Sequence, residues 1–225
     1  MLVNHRRALV VSLLLLLGAA LVCVLVAVPT TLNGVQHVDD AVLRFVVRYR
    51  VTPLVWLAKG MSLLGSGLVN WPLRVLATLL MALQRRWLQL AAFALAVVSS
   101  EILIGVLKAA YARERPPGSL INTTGYSFPS GHAIAGAVTA VGLVICLLPP
   151  GRTRWRWEVW AVVFSFVMAL SRVYLSAHWL SDVVAGGLLG AGLALGWPAL
   201  LQAIRHRPDE AAVELLAEPE NAEGR

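Results

Sequence analysis

The chain has 225 residues, 58% of them hydrophobic and 14% charged, with a formal charge of +7. Soluble domains average about 45–50% apolar and about 25% charged, so this much apolar surface cannot be hidden in one water-soluble core and must face lipid. The positive charge does not mark a nucleic-acid surface, because the basic residues lie in short clusters between long apolar runs rather than on one face of a polar domain.

The first predicted element is an uncleaved transmembrane helix over Ala8–Val28. It follows Asn4-His5-Arg6-Arg7, is longer than a typical signal-peptide core and has no clear small-residue cleavage site after it. Thr30–Arg50 is a connector in which Asp40, Arg44 and Arg48 recur every fourth residue among Val42, Phe45, Val46 and Tyr49. That spacing suits a short helix lying in the membrane interface, and an ordinary loop fits it as well. Pro53–Leu83 is long for one span and is interrupted by Gly65-Ser66-Gly67 and Trp71-Pro72, so a tilt or a kink near the glycines is expected. Trp87–Leu107 is the third span and Lys108–Phe128 a polar loop. Gly131–Leu148 is the fourth span, Val159–Tyr174 the fifth and Leu180–Leu201 the sixth.

The fold expected is therefore all-α: one six-helix membrane domain over residues 1–204, then a charged, disordered cytoplasmic tail over 205–225, which holds six of the twelve acidic residues. Six spans put both termini on one side. The ends on that side carry Arg6, Arg7, Arg85, Arg86, Arg152, Arg154, Arg156, Arg205 and Arg207, against Arg44, Arg48, Arg50, Lys108, Arg113, Arg115 and Arg172 at the other ends. The larger basic set marks the termini as cytoplasmic in a multi-pass plasma-membrane protein. Cys23 and Cys146 lie inside apolar runs without metal-ligand spacing and read as buried thiols. Glu101 lies about 10 Å below Lys108 along a helix, and Lys59 lies at a similar depth in the second span. An ion pair between them is one expectation; the other is that Lys59 snorkels outward and Glu101 is protonated.

The polar residues at the far ends of the third to sixth helices form three groups. They are Lys108 with Arg115-Pro116, then Pro129-Ser130-Gly131-His132, then Ser171-Arg172 with His178 and Asp182. Lys108, Arg115 and Arg172 are cations at the edge of an apolar medium, costly singly but together suited to a multiply charged anion such as phosphate. Ser130 and Gly131 open a helix whose free amides and dipole favour an anion. His178 and Asp182, four apart, share a helix face, so the carboxylate can orient the imidazole and raise the basicity of its other nitrogen, as a histidine that attacks phosphorus requires. Each group alone has an ordinary reading as a helix cap, an interfacial residue or a topology charge; the three on one membrane face do not.

These residues resemble the three-part signature of the type 2 phosphatidic acid phosphatase superfamily, which also holds vanadium haloperoxidases and glucose-6-phosphatase. Its pattern is Lys, six residues, Arg-Pro; Pro-Ser-Gly-His; and Ser-Arg, five residues, His, three residues, Asp. Every fixed position is matched between Lys108 and Asp182. The resemblance implies a metal-independent lipid phosphatase, without cofactor, with the site facing the extracytoplasmic side. Lys108, Arg115 and Arg172 would bind phosphate, with Ser130 and the Gly131 amide completing the cradle. His178 would be the nucleophile, Asp182 its orienting partner and His132 the acid that protonates the leaving oxygen. A site between helices at the membrane surface favours a lipid phosphate. A polyprenyl (undecaprenyl-type) diphosphate is the leading expectation, with phosphatidylglycerol phosphate or phosphatidate as alternatives. A transporter or flippase of phosphorylated lipids is the reading from another class. A haloperoxidase would be soluble, and a serine hydrolase of Ser130, His178 and Asp182 would leave three cations unexplained.

Overall fold

The computed structural model describes residues 5–217, with side chains to Arg205. The regular structure among the described residues is all helical: α1 (His5–Ala27), α2 (Pro29–Arg48), α3 (Thr52–Leu64), α4 (Gly67–Leu83), α5 (Trp87–Tyr111), α6 (Gly131–Leu147), α7 (Arg152–Tyr174) and α8 (Leu180–Ala217). Helices α1, α5, α7 and residues 180–205 of α8 are long and apolar enough to cross a membrane. The pair α3 and α4 qualifies as one span bent by 43°, and α6, at 17 residues, is apolar but shorter. The helix of α8 continues past Arg205 to Ala217, into the segment expected to be a disordered tail; the remainder of that segment lies outside the described residues.

Helix α6 is the centre of the bundle, buried along most of its length and packed against α5, α7 and α8. Side-chain size explains how closely α8 approaches it. A Cβ on Gly186 would stand 2.7 Å from the Ser130 carbonyl oxygen, and one on Gly190 would stand 2.6 Å from that of Ile134. Only hydrogen fits there, as in other membrane helix pairs that touch through small residues. Helix α1 lies on the opposite part of α8, where the Ser12 hydroxyl donates to the Gly192 carbonyl at 2.8 Å. The outward faces of α1, α4, α5 and α7 carry exposed Leu, Val, Ile, Phe and Trp, the pattern of helices solvated by lipid.

The connector expected to be an interfacial helix or a loop is the helix α2. It opens with Pro29 at its first position, where the missing N–H costs nothing. The kink expected near Gly65–Gly67 is also present. Its orphan carbonyls are met locally: Asn70 Nδ2 donates to Leu64 O at 2.9 Å and the Ser66 hydroxyl to Leu63 O at 2.7 Å.

The Lys59–Glu101 pair is not formed. Glu101 instead receives Arg74 Nη1 at 2.7 Å, and Arg74 Nε donates to the Thr139 hydroxyl at 2.9 Å. Lys59 sits with its ammonium 5.1 Å from the centre of the Trp56 ring. Counting depth along one straight helix brought Lys59 level with Glu101. The break after α3 redirects the chain, and it is α4 that lies against α5 and α6, carrying Arg74 inward.

Candidate active site

Four helix ends converge on one site. Lys108 lies in the last turn of α5, which stops at Ala112 in the left-handed conformation (φ 43°). The loop beyond carries Arg113 and Arg115 and is closed by a hydrogen bond from the Ser127 backbone N–H to Arg113 O at 2.8 Å. Ser130 is the N-cap of α6: its backbone N–H donates to Asp182 O at 3.0 Å, and its hydroxyl accepts weakly from the Ala133 amide at 3.5 Å. Arg172 ends α7. Its carbonyl accepts the Ala177 and His178 amides at 2.9 and 3.3 Å, which folds the chain back sharply before α8.

Asp182 is the third residue of α8 and reaches back to the amide of Trp179, the residue before the helix, at 2.9 Å. A carboxylate in the first turn satisfies a free N–H there and favours the positive end of the dipole. The same Oδ2 meets His178 Nδ1 at 3.3 Å and the Ser127 hydroxyl. A carboxylate only accepts, so Nδ1 carries the proton. Arg115 Nη1 approaches the other ring nitrogen, Nε2, at 3.2 Å, and a guanidinium only donates. Both partners thus impose one tautomer, with the lone pair on Nε2. Burial, reinforced by Arg172 and Arg115 and opposed by Asp182, pushes the His178 pKa down to about 4. The imidazole is neutral near pH 7, as a nucleophile must be.

His132 Nε2 lies 3.1 Å from the Ser62 carbonyl. A carbonyl only accepts, so Nε2 is protonated and Nδ1 is the atom left to exchange a proton. The Ser62 hydroxyl in turn accepts from Arg172 Nη1. Arg172 is 4% exposed and its Nε is buried without a partner, an orphan donor of the kind an anion's oxygen would satisfy. Lys108 donates to Tyr126 O at 2.5 Å and shares that carbonyl with Arg115. It lies within electrostatic reach of Arg115, Arg172 and Asp182. Arg115 also holds Gly125 O, Thr124 O and Ala177 O, which anchors it over the loop. At Gly131 the nearest side chain to an added Cβ would be Ile104, 3.9 Å away, so the helix start is open.

The structure thus joins Lys108, Arg115, Ser130, His132, Arg172, His178 and Asp182 through direct bonds or one shared partner, with Gly131 between Ser130 and His132. Ser171 of the same motif donates to Met168 O in its own helix at 2.6 Å. Sequence reasoning missed four contributors: Ser62, Ser127, Arg113 and Asp39. Arg113 Nη1 donates to Asp182 Oδ1 at 2.9 Å and its Nη2 to Asp39 Oδ2 at 2.8 Å. Arg113 was visible two places before Arg115, but nothing local sets it apart from a topology charge.

A helical membrane bundle whose buried His–Asp pair is ringed by Lys108, Arg115 and Arg172 belongs to the class of membrane hydrolases acting on phosphate anions. A model of the PAP2 superfamily matches residues 89–206. Phosphatidylglycerophosphatase B of Bacillus subtilis is 31% identical over 163 residues, covering 70% of this chain and 80% of that protein. Undecaprenyl-diphosphatase of Sulfolobus acidocaldarius is 38% identical over 71 residues, 32% of each chain. The crystal structure of the transmembrane PAP2-type phosphatidylglycerolphosphate phosphatase from Bacillus subtilis superposes with a TM-score of 0.72 at 27% identity, over 87% of this chain and 96% of that one. The chain belongs to the PAP2 superfamily; it is a multi-pass membrane lipid phosphatase, of a family that works without a metal cofactor.

Proposed function

We propose that the protein hydrolyses a polyprenyl diphosphate, releasing inorganic phosphate through a phosphohistidine on His178. The observation that carries the mechanism is the tautomer imposed on His178, with Nδ1–H on Asp182 and the Nε2 lone pair facing Arg115. Substrate phosphate draws Arg115 off Nε2, and Nε2 then attacks phosphorus. The bond from phosphorus to the leaving oxygen breaks as His132, made imidazolium by a proton brought in with the substrate phosphate, delivers its Nδ1 proton to that oxygen and is left neutral, with Nε2–H still on the Ser62 carbonyl. Lys108, Arg115 and Arg172 hold the equatorial oxygens, with the orphan Arg172 Nε and the open start of α6 completing the cradle. Asp182 balances the positive charge on the phosphorylated ring. Water, deprotonated by His132 Nδ1, then attacks phosphorus; the P–N bond breaks and His178 is restored.

The substrate assignment rests on the site's place at the helix ends of a lipid-facing bundle and on the similarity to an undecaprenyl-diphosphatase. Phosphatidylglycerol phosphate is the second reading, favoured by the longer match to phosphatidylglycerophosphatase B. Counting α6 and the bent α3–α4 pair as spans gives six. With the basic ends of α1, α7 and α8 inside, the termini are cytoplasmic and the site faces the extracytoplasmic side of the plasma membrane. The test is phosphate release by detergent-purified protein in EDTA, from a polyprenyl diphosphate, phosphatidylglycerol phosphate, phosphatidate and a soluble sugar phosphate. Fastest release from the polyprenyl diphosphate is expected. Release from phosphatidylglycerol phosphate alone would give the second reading instead.

A further inference from the structure

The reacting pair is one half of a larger buried charge system, and the other half comes from α2. Asp39 is 2% exposed. Its Oδ1 accepts the backbone N–H of Ser181 at 2.9 Å, one of the free amides at the start of α8, and its Oδ2 accepts the Ser181 hydroxyl at 2.6 Å. A residue of α2 therefore caps α8 from another helix, beside the cap that Asp182 supplies from within. Arg113 lies between the two carboxylates, with Nη1 on Asp182 Oδ1 at 2.9 Å and on the Ser181 hydroxyl at 2.6 Å, and Nη2 on Asp39 Oδ2 at 2.8 Å and on Gln36 Oε1 at 2.8 Å. One face of its guanidinium stacks on Trp179, 5.5 Å from the ring centre. Its side chain is 10% exposed and those of Asp39 and Asp182 1% and 0%.

Two buried carboxylates share one guanidinium, and it is the cation that stands between them. The Asp182 carboxylate accepts from four donors: His178 Nδ1, the Trp179 amide and the Ser127 hydroxyl on Oδ2, and Arg113 on Oδ1. Arg113 is the donor that fixes Oδ1 and so the rotation of the carboxylate that leaves Oδ2 for the imidazole. The planar fork suits this task, since it serves Asp182 and Asp39 at fixed angles in a way a lysine could not.

We propose that Arg113, braced by Asp39 of α2, is a positioning residue for the reaction: it screens Asp182 from Asp39 and keeps Asp182 rotated toward His178, without touching the substrate. This rests on the reading of His178 and Asp182 as the reacting pair. Removing Arg113 leaves two buried carboxylates facing each other with no cation between them. Like charges at such range repel strongly, and Asp182 turns away from His178. Removing the Asp39 charge as well, by Asp39→Asn, relieves the repulsion, because the carboxamide oxygen of the new side chain can still accept the Ser181 amide.

The test compares wild type with H178A, R113Q, D39N and R113Q/D39N, purified at full length, on whichever lipid phosphate of the panel wild type cleaves fastest. R113Q is expected to lower kcat by about 10- to 100-fold, the usual effect of losing a partner that orients a reacting side chain, while KM changes by no more than about threefold. D39N alone has a small effect, and the double variant turns over faster than R113Q. A merely structural tether of α2 to α8 gives the opposite order, with the double variant no faster than the single. That order, or a wild-type kcat in R113Q, overturns the inference. Should R113Q not give a monodisperse peak on gel filtration, R113K carries the comparison: a lowered kcat at unchanged KM supports positioning, and a wild-type kcat overturns it. An active H178A would instead overturn the assignment of the reacting pair, a different failure from that of Arg113.

Discussion

At the scale of single residues, the site works by limiting what each group can do. His178 has one tautomer because its two neighbours are an obligate acceptor and an obligate donor. Its pKa of about 4 lies below the ordinary imidazole value of 6.5. The sign follows directly: a depressed pKa keeps the ring neutral, and so nucleophilic, from high pH down to about 4. In the kcat/KM profile, which reports the free enzyme, the acid limb assigned to His178 is therefore expected near pH 4. A limb near 6.5 would contradict the burial argument. His132 has its Nδ1 free for the leaving oxygen, and its loss should depend on the leaving group. In kcat/KM, which covers the phosphorylation step, H132A is expected to lose about 10²- to 10⁴-fold on a lipid phosphate, and much less on p-nitrophenyl phosphate, whose leaving oxygen needs no proton; kcat falls on both, because water activation still needs His132. Equal losses of kcat/KM on both would remove His132 from the acid role. The candidate site residues that the structure brings together were legible in the sequence because their spacing repeats a known signature and because charge at the edge of lipid is conspicuous. Ser62, Ser127 and Asp39 were not, since each acts through a contact between segments far apart in the chain, and no local pattern encodes such a contact.

At the scale of elements, the precision of the site depends on how closely α8 lies against α6. The Ser130–Asp182 backbone bond joins the two helix starts, and the glycines beneath it set their distance. Gly190→Ala would push a methyl group into the Ile134 carbonyl, separating the helices at a cost of about 1–3 kcal/mol and lowering kcat. Gly187→Ala, with nothing within 4 Å of its Cβ, is the matched control and should change neither thermal midpoint nor rate. The pair of Arg74 with Glu101 fastens α4 to α5 in the same way. Arg74 is 3% exposed and Glu101 38%, so E101Q should cost toward the lower end of about 1–3 kcal/mol, seen as a lower melting midpoint in detergent. K59M should leave that midpoint unchanged. The reverse result would restore the pairing that sequence depth suggested. That misreading has a physical lesson. Depth along a helix is a reliable coordinate only while the helix is straight, and Gly65–Gly67 announced the break without saying which half would face α5.

At the scale of the whole molecule, the apolar surface and the polar site are arranged for a substrate that has both characters. Exposed apolar side chains cover the outward faces of the outer helices, and half-buried Lys108 and buried Arg172 lie at the ends of α5 and α7, where a headgroup anchored by its tail would stand. Residues 89–206 carry the family match and the whole Lys108–Asp182 signature, while α1 and α2 brace it from the N-terminal side. The all-α membrane fold was legible from composition and apolar run lengths alone. The role of α2 was not, because an amphipathic connector has the same pattern whether it lies idle on the membrane or holds a buried carboxylate against a helix start.

The central claim is that His178 Nε2 becomes covalently phosphorylated. The direct measurement is rapid quench into alkali of protein mixed with a ³²P-labelled lipid phosphate, followed by gel electrophoresis and peptide mapping. A label that is stable in alkali, lost in acid and located on the peptide carrying His178 is the expected result. It should be absent in H178A and accumulate in H132A when p-nitrophenyl phosphate is the donor. Steady turnover with no acid-labile label on His178 at any quench time would contradict the account, leaving the site as a cradle for direct attack by water.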